Sequence, residues 1–348
     1  MIDYASRLIE ICDLLPPYCL DYFYATAEIY EIRTRCAYAG DLKVFFEYVL
    51  GLPCCAEYSS IREIPLTVFE EITSTDIDKY MIYLGKYEIN GEIYENSLAG
   101  KKRKLASLKA FINHYRKIGK IKNNPTEFTY TPKVKKKEIL ILSQKEQQKL
   151  KDAIDMGVGK TDQQKLYHEK TKYRDRAILS MFLGTGLRVS ELVSLDNYDV
   201  DLEQQRLTVV RKGGDTAYVY FNKEVLHTLC DYLDLERNTL LQYDEKTLNG
   251  DMLPDGPLFV SLRHDRISVR MVQTLISRYA RFVLPPKTKV SPHTLRRTFG
   301  SELYRQYLDL ALVQHALGHS SPETTKAHYV NYDDEYNKRI RDFDYGKK

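Results

Sequence analysis

Gly184-Thr-Gly-Leu-Arg188-Val-Ser-Glu191-Leu follows directly on the apolar run from Arg174 to Leu183. The run predicts a buried helix that stops at Gly184, and the stretch after it sets a permanently charged guanidinium three residues before a carboxylate. Beyond it the period changes. Arg206 to Val210 and Ala217 to Phe221 alternate β-branched or aromatic residues around Lys212, Gly213, Gly214 and Asp215, which predicts a hairpin with Lys212 in its turn. Helix starts then return at Ser291 with Pro292, at Asp309, and at Ser321 with Pro322. Upstream, Ser143 with Glu146 makes a capping box for a helix through Ile154. Residues 143–348 therefore read as one domain, mainly α with a small antiparallel β-sheet.

The remaining chain is long enough for a second domain. The net charge of +4 hides a strong asymmetry. Residues 1–100 hold 7 basic and 17 acidic side chains, whereas 101–137 hold 13 and 1. Such a block is either a solvated tail or a polyanion-binding surface. Here it contains apolar residues at helical spacing, Leu98, Leu105, Leu108, Phe111, Ile112, Tyr115 and Ile118, between Ser97 and Gly119. The prediction is a packed helix whose other faces carry Lys101, Lys102, Arg103, Lys104, Lys109, Arg116 and Lys117. Thr34 to Leu50, with Tyr38, Leu42, Phe45, Phe46 and Val49, repeats the pattern, and Asp76 to Leu84 adds a shorter helix. Residues 1–125 read as a helical domain. Residues 126–142, with Pro132 and the run Lys135, Lys136, Lys137, read as an extended basic linker.

Composition removes several classes. Hydrophobic residues make up 43% and charged residues 29%, with no apolar run of membrane-spanning length and no secretory pattern, so a cytoplasmic protein without a membrane partner is expected. The six cysteines show neither CxxC spacing nor histidines at metal-ligand spacing, which predicts free thiols and no metal site. Gly159, Lys160 and Thr161 imitate the end of a phosphate-binding loop, but Ile154 stands where that motif needs glycine and no buried strand precedes it. No nucleotide cofactor is expected.

Five pieces of the second domain resemble, in order and spacing, the tyrosine recombinase family, the phage integrases and Xer-type resolvases. They are the Gly184 to Glu191 stretch, Lys212, His293-Thr-Leu-Arg296, Leu317-Gly-His319, and Tyr329. The helical first domain with its basic last helix looks like that family's core-binding domain. The resemblance implies a site-specific recombinase that cuts and rejoins DNA through a 3′-phosphotyrosyl bond. A phosphodiester under attack gains negative charge, which Arg188 and Arg296 suit, with Glu191 supporting them. His293 shares a helical face with Arg296 and is placed to accept or relay the tyrosine proton. By resemblance Lys212 protonates the departing 5′-oxygen, although Arg211 beside it is a rival, and His319 hydrogen-bonds the phosphate, with His315 its nearby rival.

Tyr329 stands ten residues after His319, one more than in most family members, whose spacing falls on His328 here. With 28 tyrosines in the chain, a tyrosine nearby carries little weight by itself. Thr324, Thr325 and Ala327 keep the family's local texture and favour Tyr329. Tyr332 is the runner-up, Tyr336 lies further along, and loss of the nucleophile stays open. The partner implied is double-stranded DNA, bound by a chain that is a monomer when free and a homotetramer on DNA, with Asn337 to Lys348 docking on a neighbour. Contacts to phosphates are expected from Lys101, Lys102, Arg103, Lys104, Lys109, Arg116, Lys135 and Lys136. Two other classes remain: a catalytically impaired DNA-binding protein of the same fold, and a type IB topoisomerase-like enzyme.

Overall fold

The structure, a computed structural model, describes residues 3–89, 91–133, 139–159, 161–211, 214–241, 256–286 and 288–318. Its contacts divide into two compact units, Met1–Lys137 and Glu138–Lys348. The span read as a linker contributes to both. Thr126 and Thr129 are buried in the first unit, while Leu142 is buried in the second, where its N–H donates to Thr298.

The first unit holds α1 (Tyr4–Asp13), α2 (Pro17–Ala25), α3 (Ile32–Leu50), α4 (Ser74–Tyr83), strands β1 (Lys86–Ile89) and β2 (Glu92–Glu95), and α5 (Leu98–Lys117). Its core is aromatic: Phe46 meets Phe111 edge-on with ring centroids 6.3 Å apart, and Tyr22, Phe45, Phe69 and Tyr80 surround them. On α5 the predicted stripe is buried from Leu105 to Tyr115, but Leu98 and Ile118 are exposed because they occupy the helix's two ends. The expected all-helical domain also contains the antiparallel β1–β2 hairpin. Every residue of β2 is exposed, so no buried face was there to leave an alternating apolar signal.

The second unit comprises α6 (Gln144–Met156), α7 (Asp162–Glu169), α8 (Lys172–Thr185), α9 (Val189–Ser194), β3 (Val200–Asp201), β4 (Arg206–Val210), β5 (Thr216–Tyr220), α10 (Lys223–Tyr232), α11 (Asn238–Leu241), α12 (Val269–Val283), α13 (Pro292–Tyr307) and α14 (Leu310–Leu317). The sheet is antiparallel in the order β3, β4, β5, and Leu207, Val209 and Val219 turn one face into the core. The predicted capping box at Ser143 is present, Ser291 caps α13 as expected and forms a capping box with Thr294, and Asp309 caps α14. Gly184 does not stop α8. It lies inside the helix, where a β-carbon would come 2.5 Å from Val225 Cγ2, so glycine permits the close approach of α10. The stop is Gly186, left-handed at φ 64°.

Candidate active site

Three arginines from separate parts of the second unit converge on Glu191. Its carboxylate is almost wholly buried, 3% exposed, in the first turn of α9. It accepts the Arg188 backbone N–H at 2.7 Å and Arg188 Nη1 at 2.7 Å. Arg211, at the start of the β4–β5 turn, approaches both carboxylate oxygens at 3.4 and 3.5 Å. Arg296, from α13, stands 3.8 Å away. Guanidinium groups keep their charge in proteins, so among the described residues three positive charges face one negative charge.

The same arginines cap the C-terminus of α14. The last carbonyls of a helix lack intrahelical donors and carry partial negative charge. Arg211 Nη2 donates to Ala316 O at 3.2 Å and its Nη1 to Leu317 O at 3.3 Å. Arg296 also donates to Leu317 O, and through Nη1 to Gly186 O at 2.6 Å. Arg188 Nη2 donates to Gly318 O at 3.0 Å. The stop of α8, the start of α9, the hairpin turn, α13 and the end of α14 therefore meet at one cationic centre. Exposure grades across it. Arg296 is 4% exposed and Arg211 11%, whereas Arg188 is 32% exposed and faces solvent.

His293 is exposed in the first turn of α13, three residues before Arg296 and next to the Ser291 cap. His315 is exposed in the last turn of α14. Lys212, His319, Tyr329 and Tyr332 lie outside the described residues, as do Lys135, Lys136 and the segment from Asn337 to Lys348. Among the described residues no group of three His, Cys, Asp or Glu side chains could hold a metal ion, and no helix is long and apolar enough to cross a membrane. Thr161, part of the false phosphate-loop motif, is the N-cap of α7 and bonds the Gln164 N–H.

Comparison with known proteins settles what this unit is. Residues 141–336 match the phage integrase family. The chain belongs to that family. The chain is 31% identical over 323 residues to the tyrosine recombinase XerC of Caldanaerobacter subterraneus subsp. tengcongensis, spanning 90% of this chain and 82% of the relative. It is 28% identical over 354 residues to the tyrosine recombinase XerS of Streptococcus agalactiae, spanning 94% and 95%. Among solved structures, the Tn1549 transposon integrase in complex with circular intermediate DNA matches with a TM-score of 0.64 at 18% identity, covering 95% of this chain and 98% of that one. The XerH recombinase bound to its palindromic difH substrate matches with a TM-score of 0.63 at 21% identity, covering 89% and 78%. These neighbours share this chain's two-domain architecture. Its activity is that of a tyrosine site-specific recombinase, acting in DNA recombination.

In this recombinase the basic helix α5 does not present all of its cations. Lys104 is a correction: its side chain is 8% exposed and its ammonium lies 3.0 Å from the buried Asp41 carboxylate, so it holds the first unit's interior together. Arg103 binds both oxygens of the same carboxylate, with Nη2 2.8 Å from Oδ1, while remaining half exposed. Lys101 donates to Met81 O at 2.8 Å and Lys109 to Thr129 O at 3.3 Å. Arg116 pairs with Glu127 at 3.3 Å, and both are exposed. Lys102, Lys117, Lys120 and Lys122 are exposed. Sequence reasoning missed the place of Arg211 in the Glu191 cluster. Its only signal was a second cation directly before the glycines of a hairpin turn.

Proposed function

We propose that the recombinase cleaves one DNA strand by in-line attack of the Tyr329 phenol on phosphorus, forming a 3′-phosphotyrosyl ester. The bond from phosphorus to the 5′-oxygen breaks, Lys212 gives that oxygen a proton, and His293 takes the phenolic proton. The released 5′-hydroxyl then attacks the partner strand's ester and returns the tyrosine, so no nucleotide is consumed. Arg188 meets the nonbridging oxygens directly, His319 adds a hydrogen bond, and Arg296 supplies charge from the floor of the site. The observation that carries this reading is the charge imbalance around Glu191. Among the described residues the site carries a net of about two positive charges in a partly dehydrated setting, which suits a phosphodiester whose charge grows toward two as the phenolate adds.

The recombinase binds double-stranded DNA in this reading, with Lys102, Arg103, Lys117 and the lysines at 135 and 136 at the phosphates. Affinity then falls steeply as salt rises. It acts in the cytoplasm as a monomer that forms a homotetramer on paired sites. Incubation with a nicked suicide duplex carrying its own target site tests the function. A covalent adduct restricted to that site supports recombination, an adduct on any sequence points to a topoisomerase, and binding without an adduct to an impaired DNA-binding protein. Peptide mapping of the adduct names the nucleophile. A modified Tyr332 beside an untouched Tyr329 overturns that assignment and leaves the reaction class intact.

A further inference from the structure

We infer that Arg211 is a positioning residue that locks the start of the β4–β5 turn onto the end of α14, and so sets the point from which Lys212 departs. A cation in a hairpin turn ordinarily keeps its charged head in water. Arg211 does the reverse, with its side chain 11% exposed. Its backbone closes the turn: its N–H donates to Asp215 O at 2.7 Å, and its carbonyl accepts from Gly214 N at 3.0 Å. Its guanidinium meanwhile reaches Glu191, Leu317 O and Ala316 O, on elements 20, 106 and 105 residues away. One rigid fork therefore joins the turn, α9 and α14.

Gly318 makes the fit close. It is left-handed at φ 58°, and a β-carbon there would lie 2.7 Å from Arg211 Cζ and 2.8 Å from Nε. The guanidinium packs against the α-carbon of the residue that ends α14. Residue 212 is one peptide from Arg211 and residue 319 is one peptide from Gly318, each step spanning about 3.8 Å between α-carbons. Arg211 thus fixes the departure point of the segment that carries Lys212. It differs from Arg188, which also bonds Glu191 and Gly318 O but is 32% exposed, because its own guanidinium is closed off from water. A lysine offers one point charge and no fork, so it cannot hold Glu191 and two carbonyls together.

The inference rests on Lys212 being the acid that protonates the 5′-oxygen, and the test separates the two. Full-length R211A, R211K and K212A are compared with the parent on a suicide duplex and on the same duplex with a 5′-bridging sulfur at the scissile phosphate. A thiolate leaves without a proton, so the sulfur substrate bypasses the acid. R211A is expected to cleave the oxygen substrate roughly 30- to 100-fold more slowly, approaching the loss of a general acid, and the sulfur substrate within about threefold of the parent. R211K is expected to show the same pattern with a smaller ratio, and it supplies the answer if R211A does not fold. Affinity for uncleaved duplex stays within about twofold, since Arg211 is assigned no phosphate contact. Equal losses on both substrates, or no loss on either, overturn the inference while K212A still shows sulfur rescue. If K212A itself is not rescued, the assignment of Lys212 fails and takes the inference with it.

Discussion

Replacing Glu191 by glutamine keeps the side chain's shape and removes the carboxylate that three guanidiniums approach. The amide retains one acceptor oxygen, so one of the two 2.7 Å bonds from Arg188 is lost. Its NH2 then points at a guanidinium. A hydrogen bond to a charged group contributes about 1.5–3 kcal/mol, and the nearby Arg211 and Arg296 lose their counter-charge as well. Breaking a buried pair outright costs about 3–5 kcal/mol. Because Arg188 is 32% exposed and water shields it, the glutamine variant belongs near the bottom of that range, about 3 kcal/mol. Urea unfolding of the full chain measures it as a lowered midpoint for the second unit at unchanged slope. Adduct formation on the suicide duplex is expected to fall roughly 100-fold, the loss typical when one aimed donor is misplaced. A variant within about 0.5 kcal/mol of the parent, an ordinary surface effect, that also cleaves at the parental rate would refute the reasoning. The guanidiniums would then be held mainly by the backbone carbonyls at the ends of α8 and α14.

In the first unit, Asp41→Ala leaves the Lys104 ammonium buried without its carboxylate and should destabilise that unit by about 3–5 kcal/mol in thermal or urea unfolding. By contrast, K102A should leave stability unchanged and reduce the slope of log affinity against log salt by about one phosphate contact, a pattern that K104M should not share. Gly186→Ala forces a β-carbon into a left-handed position 2.4 Å from Phe299 Cδ1, costing about 2–4 kcal/mol by strain and overpacking. It also shifts the carbonyl that Arg296 uses, so cleavage should fall with stability, as differential scanning calorimetry and the adduct assay together would show. Burial pushes the His168 imidazole, 3.4 Å from the Tyr279 hydroxyl, below its ordinary value of about 6.5. The unfolded chain therefore takes up its proton first. Stability from this group is full above pH of about 6.5 and is lost as pH falls toward the folded value, and H168Q should flatten that slope in melts across the window.

Much of the second unit was legible because its signals are local. The capping box at Ser143 and the N-cap at Ser291 with Pro292 each lie within a few residues, and the alternation from Arg206 to Val210 is read within one strand. The β1–β2 hairpin escaped because an exposed strand needs no apolar alternation. Lys104 was misread for a related reason. On α5 it occupies the position before Leu105, at the edge of the apolar stripe, and only Asp41, 63 residues earlier, turns that edge inward. A helical pattern records which face is apolar, whereas a buried ion pair depends on what the facing helix offers.

The candidate site divides along the same line. Arg188 and Glu191 are three residues apart and form a unit of one turn, so their pairing follows from spacing alone. Arg211 stands in a turn where solvent is the default partner, and nothing within ten residues of it predicts otherwise. What draws it inward is the end of α14, whose carbonyls lack donors, together with a glycine that leaves its α-carbon bare. Both lie about a hundred residues downstream. A residue type and its neighbours can therefore nominate the charges of such a site, but which charge faces the substrate and which holds the frame is decided by acceptors brought together only by folding. Arg188 and Arg211 share a carboxylate and both reach the end of α14, but the first is 32% exposed and the second 11%, which is why the oxygen and sulfur substrates should respond differently to losing each of them.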